Sequence, residues 1–264
     1  MGERRARLEG FPSSGRGILT LSVVIPVKDD AVPLARCLRD LAAQTRKPDE
    51  VVVVDNGSTD DSAEVARRFG ARVVPEPRPG IPAAASTGYD AATGDVVARC
   101  DADSRLPRDW TVRLLAGLEG VDAVTGPGRF YDVPARLARC SRLFSRLYLG
   151  AYVAATGLAL GHAPLFGSNL AMRRSAWLAV RDGVHRDDPE IHDDLDLAVH
   201  LGTHHSIHWD RRLVVGISSR PFRDRAALRR RFRRGMRSLT LHWPDEYPPY
   251  RWARRVRNRS AARE

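Results

Sequence analysis

The amino-acid sequence predicts an α/β fold in which a mostly parallel central sheet is flanked by helices. From Thr20 onward, short β-branched runs alternate with helical stretches, the pattern of βαβ units. Val51 to Val54 are four consecutive valines, and a strand without polar alternation is buried on both faces, as inner strands of parallel sheets are. The composition, 43% hydrophobic and 28% charged over 264 residues, supplies enough apolar mass for one large α/β domain or two small ones.

The elements follow in order. A first strand runs from Leu21 to Val27, then a helix places Leu34, Leu38 and Leu41 on one face. The valine strand spans Glu50 to Asp55, and Asn56-Gly57-Ser58-Thr59-Asp60 is the loop that starts a helix running to about Phe69-Gly70. A third strand at Ala71 to Val74, a helix near Pro82 to Ala92 and a fourth strand, Asp95 to Cys100, lead into Asp101-Ala102-Asp103. A helix near Asp109 to Leu118 and a strand around Val121 to Thr125 come next. Beyond them Arg136, Arg139, Arg142 and Arg146 fall opposite Leu137, Cys140, Phe144, Leu147 and Tyr148 on a helical wheel, predicting a basic amphipathic helix. Leu147 to Met172 lacks formal charge, but its glycines, His162, Pro164 and Asn169 dilute it as a membrane span; an interfacial or re-entrant segment and buried core both stay open. A further strand is expected around Ile207.

Charge is unevenly placed. The net charge is +11, yet Arg211 to Glu264 holds 17 arginines and four acids, +13, leaving −2 on residues 1–210. A near-neutral body followed by an arginine-rich end argues against a dedicated nucleic-acid-binding domain, whose charge covers its folded surface, and leaves a phosphate-bearing ligand or an anionic membrane open. Leu228, Phe232, Met236 and Leu239 recur at helical spacing among those arginines, as in a helix lying on a membrane surface. Residues 1–19 read as a basic, flexible tail without the apolar stretch of a signal peptide. Cys37, Cys100 and Cys140 form no CxxC pair, so neither a disulfide framework nor a cysteine zinc site is expected, and a reducing compartment is the simplest setting.

In an open parallel sheet, ligands bind outside the carboxyl ends of the strands. Those ends carry Pro26-Val27-Lys28-Asp29-Asp30, Asp55-Asn56-Gly57-Ser58 and Asp101-Ala102-Asp103. No GxGxxG follows the first strand and no GxxxxGK[ST] occurs, so a bound nucleotide's phosphates would be handled by side chains and a metal. Two carboxylates spaced as in Asp101-x-Asp103 suit Mg²⁺ or Mn²⁺. A second acidic group, Asp193, Asp194 and Asp196 after His192, reads either as a helix start favoured by the dipole or as the source of a general base. His204, His205 and His208 could bind a metal, although a loop entering a strand is the plainer account; His162, His185, His192, His200 and His242 show no pairing. No GxSxG occurs and the cysteines have no histidine partner in sequence, which removes nucleophilic hydrolases.

Val23-Val24-Ile25-Pro26 with its following acids, Val53-Val54-Asp55-Asn56-Gly57-Ser58-Thr59-Asp60, Gly80-Ile81-Pro82-Ala83-Ala84, Gly94-Asp95, Asp101-Ala102-Asp103, Gly167-Ser168-Asn169-Leu170-Ala171-Met172-Arg173-Arg174 and Asp193-Asp194-Leu195-Asp196-Leu197 stand in one order. In that order and spacing they resemble bacterial family 2 glycosyltransferases of the GT-A fold, over about residues 20–220. The resemblance implies a GT-A domain over 20–220, with a nucleotide-binding half (20–103) and an acceptor half (104–220), followed by a basic helical extension over 221–264.

The resemblance further implies an inverting, metal-dependent transfer of one sugar from a UDP- or GDP-sugar to a hydroxyl or lipid phosphate acceptor, in cell-envelope glycolipid or polysaccharide synthesis. Pro26, Lys28, Asp29, Asp55, Asn56, Arg78, Asp101, Asp103 and Asn169 would bind the donor, with Asp103 and Asp101 holding Mg²⁺ or Mn²⁺. Gly167, Ser168, Asp193 and Asp196 would lie on the acceptor side, Asp194 would be the base, and Arg220 and Arg223 are candidate diphosphate contacts. Asn56 stands where many relatives have Asp, Ala85-Ser86 replaces a common Arg-Asn, and no QxxRW-type motif is present, which favours single transfer over processive synthesis. Two basic amphipathic segments point to a peripheral protein on the cytoplasmic face of an anionic membrane, with a lipid-linked or saccharide acceptor and no nucleic acid. The rival readings are a metal-dependent nucleotidyltransferase and a nucleic-acid-binding protein using the basic terminus.

Overall fold

The computed structural model describes residues 19–133, 138–220 and 225–261. The expected N-terminal tail, Leu19 apart, lies outside them, as do Arg136, Leu137 and Arg223; the side chains of Arg139, Cys140, Arg142, Phe144, Arg146 and Tyr148 are also outside the description.

The first half is a run of βαβ units: β1 (Leu21–Val27), α1 (Ala31–Ala42), β2 (Glu50–Asp55), α2 (Ser62–Arg68), β3 (Arg72–Pro75), α3 (Ile81–Ala91) and β4 (Val96–Arg99). The second half contains α4 (Trp110–Gly117), β5 (Ala123–Thr125), β6 (Gly128–Phe130), α5 (Ala138–Leu160), β7 (Leu170–Arg173), α6 (Arg174–Val180), α7 (Asp193–His204), β8 (Ile207–Trp209) and β9 (Val215–Ile217). Two helices close the chain, α8 (Arg225–Thr240) and α9 (Pro248–Ala261).

The main sheet has the order β3-β2-β1-β4-β7-β5-β8, and β6 pairs with β9 in a small second sheet. Every neighbouring pair of the main sheet is parallel except those made by β7, which runs antiparallel to both β4 and β5. Strand alternation divides the core. Val23, Ile25 and Val53 face a layer with Leu34, Leu38, Leu41 and Trp110, whereas Val24, Val52 and Val54 face Ala84, Ala85, Tyr89 and Trp177. The valine strand is thus covered on both sides. Small residues let α3 approach closely: a Cβ on Gly88 would overlap the Val24 side chain and come within 2.9 Å of Val54.

This topology positions the site. The chain order turns back between β1 and β4, so their carboxyl ends open a crevice at the switch point. Because β7 is antiparallel, its start lies at the same edge: Arg99 of β4 is opposite Leu170, which brings Gly167 and Ser168 beside Asp101. The uncharged stretch from Leu147 divides between α5, a loop and β7, and no helix among the described residues is long and apolar enough to cross a membrane.

Candidate active site

A cleft of about 350 Å³ opens at the β1 and β4 ends, lined among others by Pro26, Lys28, Asp30, Asp101, Asp103, Ser168 and Asp194. At its floor lies Arg99, only 3% exposed. A buried guanidinium needs carboxylate partners to offset its lost hydration. Arg99 donates to Asp101 Oδ1 at 3.3 Å and pairs closely with Asp193 in the first turn of α7. Ser168 donates its hydroxyl to the other oxygen of Asp101. Gly167 passes directly over this pair, and a Cβ there would lie 3.0 Å from the guanidinium carbon, so a larger residue would press on the buried Arg99 head group.

The neighbouring Asp194 is held by backbone amides. Its Oδ2 accepts from Gly167 N–H at 2.9 Å and its Oδ1 from Leu195 N–H at 2.8 Å, which fixes the carboxylate at the cleft wall while each oxygen keeps another lone pair. Burial pushes the Asp193 carboxyl up to about 6, with the charges of Asp194 and Asp101 adding to the rise and Arg99 opposing it.

At the mouth, Arg220 bridges two acids, donating to Asp30 at 2.7 and 2.9 Å and to Asp103 Oδ2 at 2.7 Å. Burial and the nearby charge of Asp101 push the Asp103 carboxyl up despite that bond. Asp30, Asp101 and Asp103 line the same cleft, Asp30 and Asp103 paired with Arg220 and Asp101 with Arg99. An all-oxygen donor set of this kind fits a hard divalent cation.

A second chamber of about 850 Å³ adjoins the first between α5 and α8. Its walls are mostly apolar, with Tyr152, Leu195, Leu228, Phe232, Met236 and Leu239, and it carries Arg229 and Arg231. Leu149, Phe166, His192, Asp194 and Arg231 line both spaces, so Asp194 stands on the wall they share.

The sequence profile of glycosyl transferase family 2 matches residues 22–178, more than half of the chain. The chain belongs to glycosyl transferase family 2. An uncharacterised glycosyltransferase of Mycobacterium tuberculosis is 43% identical over 110 residues, 41% of this chain and 49% of that protein. An undecaprenyl-phosphate 4-deoxy-4-formamido-L-arabinose transferase of Pseudomonas savastanoi is 36% identical over 115 residues, 39% of this chain and 34% of that protein. The chain spans about half the length, or less, of these curated relatives. Glucosyl-3-phosphoglycerate synthase of M. tuberculosis, solved with Mn²⁺, UDP and phosphoglyceric acid, superposes with a TM-score of 0.59 at 23% identity, covering 84% of this chain and 78% of that one. That likeness shows the GT-A fold.

In this family member the anticipated site residues part into groups. Pro26, Lys28, Asn56, Asp101, Asp103, Gly167, Ser168, Asp193 and Asp194 line the cleft. Asn56 does so as a brace: its amide donates to the carbonyls of Glu76 and Arg78 and accepts from Gly80 N–H, so both ends hold the 76–80 loop. Asp29 and Asp55 secure the loop after β2, accepting from the Thr59 and Ser58 amides. Arg78 pairs with Glu76 and Asp187. Two further anticipated residues lie away from the cleft lining. Asn169 is fully buried, bonded to the Trp110 indole and the Leu213 carbonyl, at the end of the turn that leads into β7 and leaves Ser168 at the cleft. Asp196 is 2% exposed and bonds His185 and His242, since it lies about 200° around α7 from Asp194.

Sequence reasoning gave no site role to Arg99, His192 or Arg231, and named Asp30 only among the strand-end residues. Arg99 had a signal: an arginine inside an otherwise apolar strand, two residues before the first acid of the DxD, demands buried acids. Arg231 had none, because it is one of many arginines on α8.

Proposed function

We propose that this chain transfers one sugar, with inversion, from a UDP-sugar to a hydroxyl of a lipid-linked acceptor, aided by Mn²⁺ or Mg²⁺. The observation that carries the reading is the position of Asp194 on the wall between a polar cleft and an apolar chamber. One side suits a nucleotide sugar at the switch point of the sheet; the other suits a long apolar tail.

In this reading Asp194 takes the proton of the acceptor hydroxyl as that oxygen attacks the anomeric carbon, and the two backbone N–H bonds hold it in line. Arg99 fixes Asp101 and Asp193 so that the donor meets a rigid floor. Asp103, with Asp101 beside it, would hold the cation, and Arg220 would exchange part of its bond to Asp103 for the diphosphate. A bound divalent cation supplies charge stabilisation to the departing diphosphate. Arg229 and Arg231 at the chamber would bind the phosphates of the lipid carrier. The Mn²⁺ and UDP named for the solved synthase, and the undecaprenyl phosphate named for the Pseudomonas relative, support this choice of cofactor, donor and acceptor class.

Work on the cytoplasmic face of a membrane belongs to the same proposal. Leu143, Leu147 and Leu158 of α5, Phe232 of α8, and Trp252 and Val256 of α9 are exposed apolar side chains, which suit an interfacial surface. The arginines of α8 are in part internally paired, Arg233 and Arg234 with Glu190 and Arg237 with Asp188, so part of the +13 secures the extension to the body.

Incubation with labelled UDP-sugars, Mn²⁺ and a polyprenyl-diphosphate-linked sugar tests the proposal. UDP release with label extracted into the lipid phase supports it. Transfer solely to water-soluble acceptors removes the lipid assignment, and the absence of UDP release with every donor removes the donor assignment.

A further inference from the structure

A second metal-binding constellation lies behind the catalytic wall, on the opposite face of α7. His185 comes from the loop before α7, Asp196 and His200 stand one turn apart on α7, and His242 follows α8. One ligand atom from each lies within 4.8 Å of all the others. Asp196 Oδ1 is the hub, 2.8 Å from His185 Nδ1, 3.0 Å from His242 Nε2 and 3.7 Å from His200 Nε2.

We propose that His185, Asp196, His200 and His242 form a structural site for Zn²⁺ or a similar transition-metal ion, which clamps the C-terminal helices to the catalytic helix.

Ligand chemistry is the first argument. Three imidazoles and one carboxylate are the donors that Zn²⁺ takes, whereas the all-oxygen cleft suits Mg²⁺ or Mn²⁺. The two sites are thus chemically distinct. Geometry is the second. Four bonds of about 2.0–2.1 Å in a tetrahedron place donors about 3.4 Å apart, and the hub distances of 2.8, 3.0 and 3.7 Å straddle that spacing. Side-chain shifts of about 1 Å close the shell around an ion.

Unsatisfied polarity is the third. His200 Nε2 is buried and has no hydrogen-bond partner, although it points at a carboxylate. A buried orphan nitrogen is costly, and an ion at the hub would satisfy it. Support around the ligands is the fourth. Asp196 Oδ2 accepts the His185 backbone N–H at 2.8 Å, leaving Oδ1 for the ion. Gly183 makes room for the ring, since a Cβ there would lie 3.1 Å from His200 Nδ1. His185 is 38% exposed and gives an ion a path from solvent.

The placement has a consequence for the enzyme. The first turn of α7 carries Asp193 and Asp194, and α8 forms a wall of the apolar chamber. An ion joining α7 to the segment after α8 would fix both relative to each other. The inference does not depend on the donor or acceptor proposed above.

The test uses the full chain without a polyhistidine tag, loaded with Zn²⁺, dialysed, and analysed by elemental mass spectrometry and thermal melting. About one zinc per chain is expected, with a melting temperature that falls on chelation and recovers with Zn²⁺ but not with Mn²⁺ or Mg²⁺. His200→Ala and His242→Ala should each weaken zinc binding by about 100-fold, whereas Asp103→Asn should retain it. Because the histidine variants can fail to fold, Co²⁺ loading of the wild type gives an independent readout: intense visible bands mark a four-coordinate nitrogen-rich site. Wild-type protein that retains no zinc, or full stoichiometry in a folded His200→Ala/His242→Ala double variant, or a Co²⁺ spectrum of a six-coordinate oxygen site, overturns the proposal.

Discussion

Arg99 and Asp193 are 94 residues apart in sequence and form an ion pair beneath the cleft, joining the end of β4 to the first turn of α7. Asp101 shares the same guanidinium. Removing the cation leaves the half-buried Asp193 without its partner while Asp101, 38% exposed, stays beside it. Arg99→Met should therefore destabilise the fold by about 3–5 kcal/mol, the usual cost of orphaning a buried partner. Arg99→Met combined with Asp193→Leu should recover much of that loss. Urea titrations of the single and double variants measure the coupling, and strict additivity would show that the pair is not a unit.

Asp194, as the proposed base, would face a different demand: to accept a proton without losing its position. Asp194→Asn keeps the size of the side chain and removes the basic oxygen. UDP affinity should stay within about twofold, while transfer to a hydroxyl acceptor should drop by about 10²–10⁴. Calorimetric UDP binding beside single-turnover transfer separates the two effects. Undiminished transfer would assign the base elsewhere or point to an acceptor that is already ionised.

The raised carboxyl of Asp193 predicts an acid limb in kcat/KM. Below about 6 it takes up a proton and loosens its hold on Arg99, so activity should fall as pH drops through that value. Asp193→Asn should remove this limb, and a limb unchanged in the variant would assign it to another group. The linked stability term has a definite sign: a carboxyl whose folded value is raised contributes fully below its unfolded value, and the contribution is lost as pH rises through about 6.

Glu76 behaves in the opposite way. Hydrogen bonds from the Arg78 guanidinium, together with those from Thr87 and the Arg78 backbone, hold its carboxyl down at about 2 against the cost of burial. Its contribution is present above about 4.5 and is lost as pH falls toward 2. Because Arg78 is half exposed, the size is discounted to about 1–2 kcal/mol. Thermal melts of wild type and Glu76→Gln should differ most near pH 6 and converge near pH 2, and a constant gap would contradict the assignment.

How much of this was legible in the sequence depended on whether a signal was local. The strands through β4 could be located because valine runs and strand-end acids lie within single elements. The direction of β7 could not, because a four-residue apolar strand carries no mark of its orientation. Asp196 stands in the same acidic run as Asp194, and only the 3.6-residue period of α7 separates their faces; Asn169 follows Ser168 in a turn, where no period marks which side chain faces the cleft. Among histidines, the local His204-His205-x-x-His208 pattern drew notice, yet the described metal-competent cluster draws on residues 185, 200 and 242. Only the packing of α8 against α7 brings those three together.

Phe232 supplies the sharpest test of the acceptor assignment. It lines the apolar chamber yet is 72% exposed, so a polar substitution there alters the wall with little cost to the core. If a prenyl tail lies between α5 and α8, Phe232→Asp removes an apolar contact of about 1.5–3 kcal/mol. The KM for a long-chain lipid-linked acceptor should then rise by about 10–100-fold relative to a short-chain analogue, with kcat nearly unchanged because the contact is equal in ground and transition states. Equal effects on long and short chains would place the tail outside the chamber, and Asp194 would then meet its acceptor from the cleft side alone.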